Sequence, residues 1–356
     1  MKKLLLAILT IAFTFGATLA QGEGASDETR MTLRGEFVRL INRDRATFGL
    51  PPVQFDAQLS ATADAYCRAQ IRNGTTGHFT TDGEAPYMRY SFAGGNDGVS
   101  ENAAAWSANY SFADSALYDM MRRSEAAMMA EAAPHDGHRK TILDPSATHV
   151  GIGLAWEKGE FRLTQEFIRH YVEWLRPLPR RIRNAQPVLC SGYAVRGYDV
   201  EAISVHHEPL PQPMAAVTAN AIQTYSLPNA RREYLPRLKG KFTRQIAGGV
   251  EEVREEYSDG RRGDFQVAAD GKFAFATPLL DGPVTHTAVV WVRPHGSTGD
   301  AIPAFVFSIP VPTVAPHASC GTRRSSRTAC VGPRAPPPPL PASHRAAAPL
   351  AGPPRA

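Results

Sequence analysis

A chain of 356 residues is too long for one average domain, and its 43% hydrophobic content is enough to bury a sizeable core, so we expect two domains. The formal net charge of +5 comes from 39 Lys and Arg against 34 Asp and Glu, but Lys2, Lys3 and six arginines after residue 315 account for it. The body of the chain is therefore neutral to slightly acidic, which argues against a nucleic-acid groove, because such grooves need clustered basic residues.

The first twenty residues carry a secretory signal pattern. A basic start is followed by an apolar run over residues 4–19, and the small residues Thr18 and Ala20 precede the expected cleavage after Ala20. An uncleaved membrane anchor is the alternative, but the run is short for a full span. No cysteine follows the run, so we expect a secreted or periplasmic protein without a lipid anchor and without a membrane span after cleavage.

Helical periodicity dominates the part of the chain that follows a flexible leader, which we expect at residues 21–30. Apolar residues at helical spacing predict one helix over Met31–Thr47 and another over residues 112–133. Between them, Asp56 stands where a helix N-cap belongs, and it begins a second helix that ends near Gly74.

Two further patterns complete a first domain that we place at residues 31–174. Residues 80–100 are rich in Gly, Asp and Ser and predict a long irregular connection, which is usually functional or mobile in a compact domain. Residues 150–156 and 161–168 flank a Glu-Lys-Gly-Glu turn and predict a β-hairpin. Helices followed by a hairpin indicate a mixed α/β domain.

The rest of the chain divides into three segments of different composition. Residues 175–187 are rich in Pro and Arg and predict a linker. Residues 188–315 contain several short β-rich runs and no long amphipathic helix, which is typical of an antiparallel β-sandwich. Residues 316–356 contain ten prolines and nine alanines without apolar periodicity, so we expect a disordered tail.

The chain has four cysteines, at positions 67, 190, 320 and 330. An exported protein can form disulfides, and four cysteines allow three pairings between which the sequence does not choose. A Cys67–Cys190 bond would join the two domains, and Cys320–Cys330 would be a local bond within the tail.

Four side chains could carry chemistry: His78, Glu101, Glu131 and His138. Two imidazoles and two carboxylates could bind a divalent cation such as Zn²⁺, or they could form a hydrogen-bonded polar cavity without a metal. Residue type alone gives a weak signal, because a lone histidine in a loop is more often structural.

Several short motifs strengthen the case that these four side chains form a site, because the motifs follow one another along the chain in the order of a known family. They are Asn42-Arg43-Asp44-Arg45, Gly49-Leu50-Pro51-Pro52, Gly77-His78-Phe79, Glu101-Asn102, the run from Gly137 to Leu143, Val150-Gly151-Ile152-Gly153 and Thr164-Gln165-Glu166-Phe167. Over residues 33–172 this series resembles bacterial members of the CAP superfamily, also called SCP domains, which includes cysteine-rich secretory proteins, venom antigens and plant pathogenesis-related proteins. The resemblance implies an α-β-α sandwich around a small antiparallel sheet.

The resemblance also implies a central cavity with two histidines and usually two acidic residues. By motif, His78 matches the first histidine, Glu101 the acid of the Glu-Asn motif, and His138 the second histidine. Glu131 is our candidate for the second acid, and Glu125 is the alternative.

Two features depart from what the resemblance implies. His135 has no counterpart, although its spacing to His138 could suit a metal pair. The chain also lacks the cysteine-rich signature of animal and plant members, and Arg139 replaces the tyrosine that usually follows their second histidine. We therefore do not assign the ligands and activities of those members to this chain.

Three functions remain open at this stage. The first is a secreted binding module whose cavity, formed by His78, Glu101, Glu131 and His138, holds a divalent cation or a small lipid, glycan or peptide ligand. The second is a metal-assisted peptidase in which His78 and His138 hold the metal and Glu101 acts as the general base. The third is a structural envelope protein with no ligand. The sequence does not predict an oligomeric state.

Overall fold

In this computed structural model, the structure describes residues 27–179, 187–238, 242–253, 257, 259–277 and 283–311. The predicted signal peptide at residues 1–20 and the predicted tail at 316–356 lie outside the described residues. The described residues belong to a single compact unit. In this part of the chain, no helix combines the length and apolar character needed to cross a membrane.

Five helices surround one small sheet in the first half of the described chain. The elements are α1 (Asp27–Thr47), β1 (Gln54–Phe55), α2 (Ala57–Asn73), α3 (Pro86–Ala93), β2 (Gly98–Ser107), α4 (Asp114–Met129), α5 (Gly137–Ile142), β3 (His149–Glu157) and β4 (Glu160–Arg169). The strand order is β1-β3-β4-β2, with β1 parallel to β3 and the other pairs antiparallel. The long strand β2 is therefore an edge strand.

Helix α2 lies against one face of this sheet because two glycines of β3 leave room for it. A Cβ on Gly151 would lie 2.5 Å from Leu59, and a Cβ on Gly153 would lie 2.6 Å from Ala63. The Asp56 side chain begins the helix by accepting the Leu59 N–H at 2.8 Å. At these two positions α2 therefore lies directly against the backbone of β3.

The opposite face of the sheet is apolar and packs against α1 and α4. Ile152 and Leu154 alternate with the two glycines of β3, so they point away from α2. They belong to one buried cluster with Phe37 of α1 and Leu117 of α4. The result is an α-β-α sandwich, which confirms the predicted fold of this region.

The second half of the described chain is almost entirely antiparallel sheet. Its elements are β5 (Val172–Trp174), β6 (Val188–Ala194), β7 (Tyr198–Pro209), α6 (Ala216–Ala221), β8 (Arg232–Tyr234), β9 (Phe242–Ile246), β10 (Gly249–Val253), β11 (Lys272–Thr277), β12 (Val284–Pro294) and β13 (Ile302–Val311). A sheet of order β13-β12-β7-β8 and a sheet of order β11-β6-β5 share one buried core, and β9 and β10 form a hairpin. The expected β-rich second region is confirmed.

Several local expectations need correction. Helix α1 begins at Asp27, inside the predicted flexible leader at residues 21–30. The predicted irregular connection at residues 80–100 contains α3, which has a proline at its first turn and ends at Gly94 with φ 102°. The strand Val172–Trp174, placed at the end of the first domain, pairs instead with β6 in the second region.

The two cysteines in the described part of the chain are both buried and free. Cys67 Sγ lies 3.2 Å from the Thr164 hydroxyl, whereas Cys190 lies in the core of the second region. The suggested Cys67–Cys190 bond is therefore absent, because each thiol is buried in a different core. The suggested Cys320–Cys330 bond falls outside the described residues.

Candidate functional site

His78 and Glu101, two of the four predicted site residues, form a buried pair. The His78 Nδ1 lies 2.9 Å from Glu101 Oε1, and the Glu101 side chain is fully buried. His78 follows α2 in a loop whose Gly77 carbonyl accepts hydrogen bonds from the Tyr66 hydroxyl at 2.7 Å and from Gln70 Nε2 at 2.8 Å. Two side chains of α2 thus fix the backbone next to the imidazole.

Arg89 of α3 is the central charge of this site, and the sequence analysis did not single it out. Its guanidinium binds Glu101 Oε2 and lies 3.4 Å from Glu166 Oε1. It also lies over the Tyr66 ring, 3.5 Å from the ring centre. Burial would lower the pKa of Arg89, but the Glu101 charge raises it above its ordinary value, and burial raises the pKa of Glu166. The arginine is therefore the permanent cation between two buried acids.

Tyr225, from the second region, covers the pair from outside the first domain. Its hydroxyl accepts the backbone N–H of Glu101 at 2.6 Å. Its ring lies edge-on to the His78 ring at 5.0 Å and tilted against the Tyr87 ring at 6.5 Å. Burial raises the pKa of the Tyr225 phenol, so the phenol stays protonated. The site is thus completed by a residue that no local motif indicates.

His138 and Glu131 form a second, more open pair at the start of α5. The His138 Nδ1 lies 2.5 Å from Glu131 Oε1, and Glu131 Oε2 accepts the His138 backbone N–H at 3.0 Å. The His138 side chain is 37% exposed and that of Glu131 is 23% exposed. Glu131 therefore orients the imidazole and also binds the N-terminal turn of α5. His135 is exposed to solvent.

The two pairs contact opposite faces of β2. Glu101 and Asn102 are neighbours on this strand, so their side chains point to opposite sides of the sheet. Glu101 binds the His78 ring, whereas Asn102 Nδ2 donates to the His138 carbonyl at 3.1 Å. In the part of the chain that the structure describes, no hydrogen bond or ion pair joins the His78–Glu101 pair directly to His138–Glu131.

Glu125, the alternative second acid, lies apart from both histidines. Its Oε2 accepts a hydrogen bond from Gln165 Nε2 at 2.5 Å, and Gln165 in turn accepts from Asn102 at 3.0 Å. Burial raises the pKa of Glu125 to about 7. The structure therefore places Glu131, and not Glu125, beside His138.

The described residues do not form an obvious cation site. They contain no group of three or more His, Cys, Asp or Glu side chains arranged to hold a metal ion. A divalent cation beside Glu101 would also meet the guanidinium of Arg89, which already neutralises that carboxylate. The residues around His78 therefore do not fit a cation unless Arg89 moves away.

A separate polar cleft of about 270 Å³ lies beside the Gly94-Gly95 turn that follows α3, and none of the four predicted residues lines it. His170 Nδ1 lies 2.8 Å from Asp97 Oδ1, and this bond raises the pKa of His170. The neighbouring ring of His149 lies at 5.8 Å, and burial lowers the pKa of His149. No sequence motif indicates this cleft, because its residues belong to four distant segments.

A comparison with known protein families matches the part of the chain that contains all four predicted site residues. The model of the CAP domain, described as the cysteine-rich secretory protein family, matches residues 38–167. No curated protein matches the chain.

Solved structures resemble about two fifths of the chain. An extracellular protein containing an SCP domain from Bacillus anthracis is 19% identical over 42% of this chain and 45% of its own, with a TM-score of 0.32. An outer surface protein from Borrelia burgdorferi is 16% identical over 40% of this chain and 93% of its own, with a TM-score of 0.30. The CAP domain of enterococcal PrgA is 15% identical over 40% of this chain and 62% of its own, with a TM-score of 0.30. The chain thus spans less than half of the first of these proteins.

Proposed function

Because this chain carries a CAP domain of the cysteine-rich secretory protein family, we propose that it is a secreted protein that binds a small ligand and catalyses no hydrolysis. The apolar leader at residues 4–19 supports export. The description of the matching family as secretory supports the same location.

One observation carries the proposal: both carboxylate oxygens of Glu101 are already engaged. Oε1 binds His78 and Oε2 binds Arg89, and the side chain has no exposure to solvent. A general base has to reach a water molecule or a substrate proton within hydrogen-bond distance. Glu101 could do so only if Arg89 were displaced, and breaking a buried ion pair costs about 3–5 kcal/mol. The geometry therefore fits a carboxylate that holds His78 and Arg89 in place better than it fits a general base.

The test compares turnover and binding in the same preparation. We expect the purified chain to cleave no peptide in a broad library, with or without added Zn²⁺, and Glu101→Gln to behave identically. We also expect at least one lipid, glycan or peptide to raise the melting temperature of the wild-type chain. Peptide cleavage that is lost in a folded Glu101→Gln variant would overturn the proposal.

A second candidate function rests on the partly exposed pair of His138 and Glu131. A histidine held by a carboxylate is the base half of many hydrolytic sites, and His138 is both oriented by Glu131 and partly exposed. This hydrolase alternative predicts turnover that is lost in His138→Ala and retained in His135→Ala. If neither variant changes a measurable rate, His138 has a binding or structural role.

A further inference from the structure

The connection between β7 and β8 crosses the CAP domain instead of turning directly. We call residues 210–231 the crossing segment. It contains the short helix α6, and many of its side chains face solvent, with Val217 76% exposed. A direct link between two neighbouring antiparallel strands needs only a few residues, so this length needs another explanation.

The crossing segment is bound to the CAP domain through a few polar contacts. The Met214 N–H donates to the Thr81 carbonyl at 2.8 Å. The Asn220 side chain binds backbone on both sides, because its Oδ1 accepts the Thr76 N–H at 2.9 Å and its Nδ2 donates to the Gly74 carbonyl at 3.0 Å. In these two bonds the CAP domain supplies backbone atoms and the crossing segment supplies the side-chain amide, so the contact selects for an asparagine in the crossing segment.

Gly83 of the CAP domain allows a close approach of the two backbones. A Cβ on Gly83 would lie 2.4 Å from the Gln212 carbonyl oxygen, and φ at Gly83 is +86°. Gly77 also faces the crossing segment, where a Cβ would lie at an ordinary contact distance of 3.6 Å from the carbonyl oxygens of Ala219 and Ile222. At Gly83 the CAP-domain surface therefore meets the main chain of the crossing segment directly.

Tyr225 is the aromatic anchor of the crossing segment. Because β2 is an edge strand, some of its N–H groups point away from β4, and the Glu101 N–H finds its acceptor in the Tyr225 hydroxyl. The ring contacts those of His78 and Tyr87. Tyr225 is partly buried, makes one hydrogen bond and is flanked by backbone contacts, which suits an aromatic anchor of a peptide in a groove.

We propose that the CAP-domain surface over residues 74–101 is a binding groove for a peptide with a tyrosine anchor, and that the crossing segment occupies it within the same chain. This inference rests on the proposed binding function and names its ligand class. A tethered ligand acts at an effective concentration of about 1 mM, so a free peptide competes poorly with it. A free peptide therefore binds the wild-type chain more weakly than it binds a chain whose internal contacts have been weakened.

The test uses a fluorescent synthetic peptide of residues 212–227 and the full-length chain. The double variant Asn220→Ala/Tyr225→Ala removes two internal contacts without touching the CAP-domain side of the groove. We expect this variant to bind the peptide at least tenfold more tightly than the wild-type chain, as measured by fluorescence anisotropy. A peptide with the same two substitutions should bind neither chain.

A second variant keeps the outcome interpretable if the first one folds poorly. Asn220→Ala/Tyr225→Phe keeps the aromatic packing and loses only the hydrogen bonds, and it should bind the peptide more tightly than wild type does. Equal binding by wild type and a folded variant, or no binding by a folded variant, would overturn the groove assignment. The proposed binding function would survive either of these results, provided that peptidase assays stay negative and another ligand stabilises the chain. Cleavage of the peptide would overturn both the groove assignment and the proposed function.

Discussion

The backbone N–H of Glu101 donates to the hydroxyl of Tyr225 at 2.6 Å, although the two residues are 124 positions apart in the chain. Glu101 belongs to the Glu-Asn motif of the CAP domain, and Tyr225 belongs to the region that follows it. The second region is therefore part of the site and not merely attached to the domain. Its β-rich core also shares a buried cluster with the CAP domain, in which Val289 and Val306 join Tyr87 and Met88.

The first prediction concerns the buried cation. Arg89→Met should lower the free energy of unfolding by about 3–5 kcal/mol, because it leaves Glu101 and Glu166 buried without a counter-charge. The matched control is Arg122→Met, since the Arg122–Asp119 pair is about half exposed and should contribute less than about 1 kcal/mol. Urea unfolding of both variants measures the difference, and similar losses would show that Arg89 does not hold the site together.

The second prediction concerns the contact between α2 and β3. Gly153→Ala should destabilise the chain by about 1–3 kcal/mol, because the new Cβ would lie 2.6 Å from Ala63 and force the helix off the sheet. Gly35→Ala is the control, since Gly35 lies exposed within α1 and a Cβ there meets nothing within 4 Å. The control should stabilise by about 0.5–1 kcal/mol. If thermal unfolding shows Gly153→Ala to be more stable than Gly35→Ala, the close packing of α2 on β3 would be contradicted.

The motifs allowed much of the CAP domain to be predicted, because they mark turns, caps and histidines that act over a few residues. Asp56 as an N-cap and the β3–β4 hairpin follow from such local signals, whereas the placement of His78 and Glu101 in one cavity was implied by the family resemblance. Arg89 was missed because it lies in a segment without apolar periodicity, although Pro86 and Gly94 at its ends are the signals of a short helix.

Tyr225 could not be predicted in the same way. Its role depends on the path of the crossing segment, which is set by contacts between residues that lie far apart in sequence. No periodic pattern marks the segment, and an isolated tyrosine in a polar connection gives no indication of burial. Contacts of this kind need either a structure or a set of related sequences.

The third prediction concerns pH and Glu125, whose pKa is raised by burial to about 7 from the ordinary 4.5. The folded state keeps this proton at a pH where the unfolded state has lost it, so Glu125 costs stability as the pH rises from 4.5 to 7. Glu125→Gln removes that cost and can still accept a hydrogen bond from Gln165. The stability of the variant relative to wild type should therefore increase by up to about 3 kcal/mol between about pH 4.5 and about pH 8, at ~1.4 kcal/mol per pKa unit.

Urea unfolding at the two ends of this pH range measures the change. Glu157→Gln is the control for a Glu-to-Gln change at a site that is not buried, because that side chain is half exposed at the end of β3. A constant difference between Glu125→Gln and wild type would mean that Glu125 ionises normally in the folded protein.

The central claim is that the crossing segment covers the His78–Glu101 pair through Tyr225, and hydrogen exchange of the Glu101 amide tests it most directly. In the wild-type chain this amide should be protected, and in Tyr225→Phe it should exchange at least tenfold faster, because its acceptor is gone. The Thr148 amide, which donates to the Ile168 carbonyl within the CAP domain, should be unchanged. Equal exchange of the Glu101 amide in wild type and in Tyr225→Phe would contradict the account.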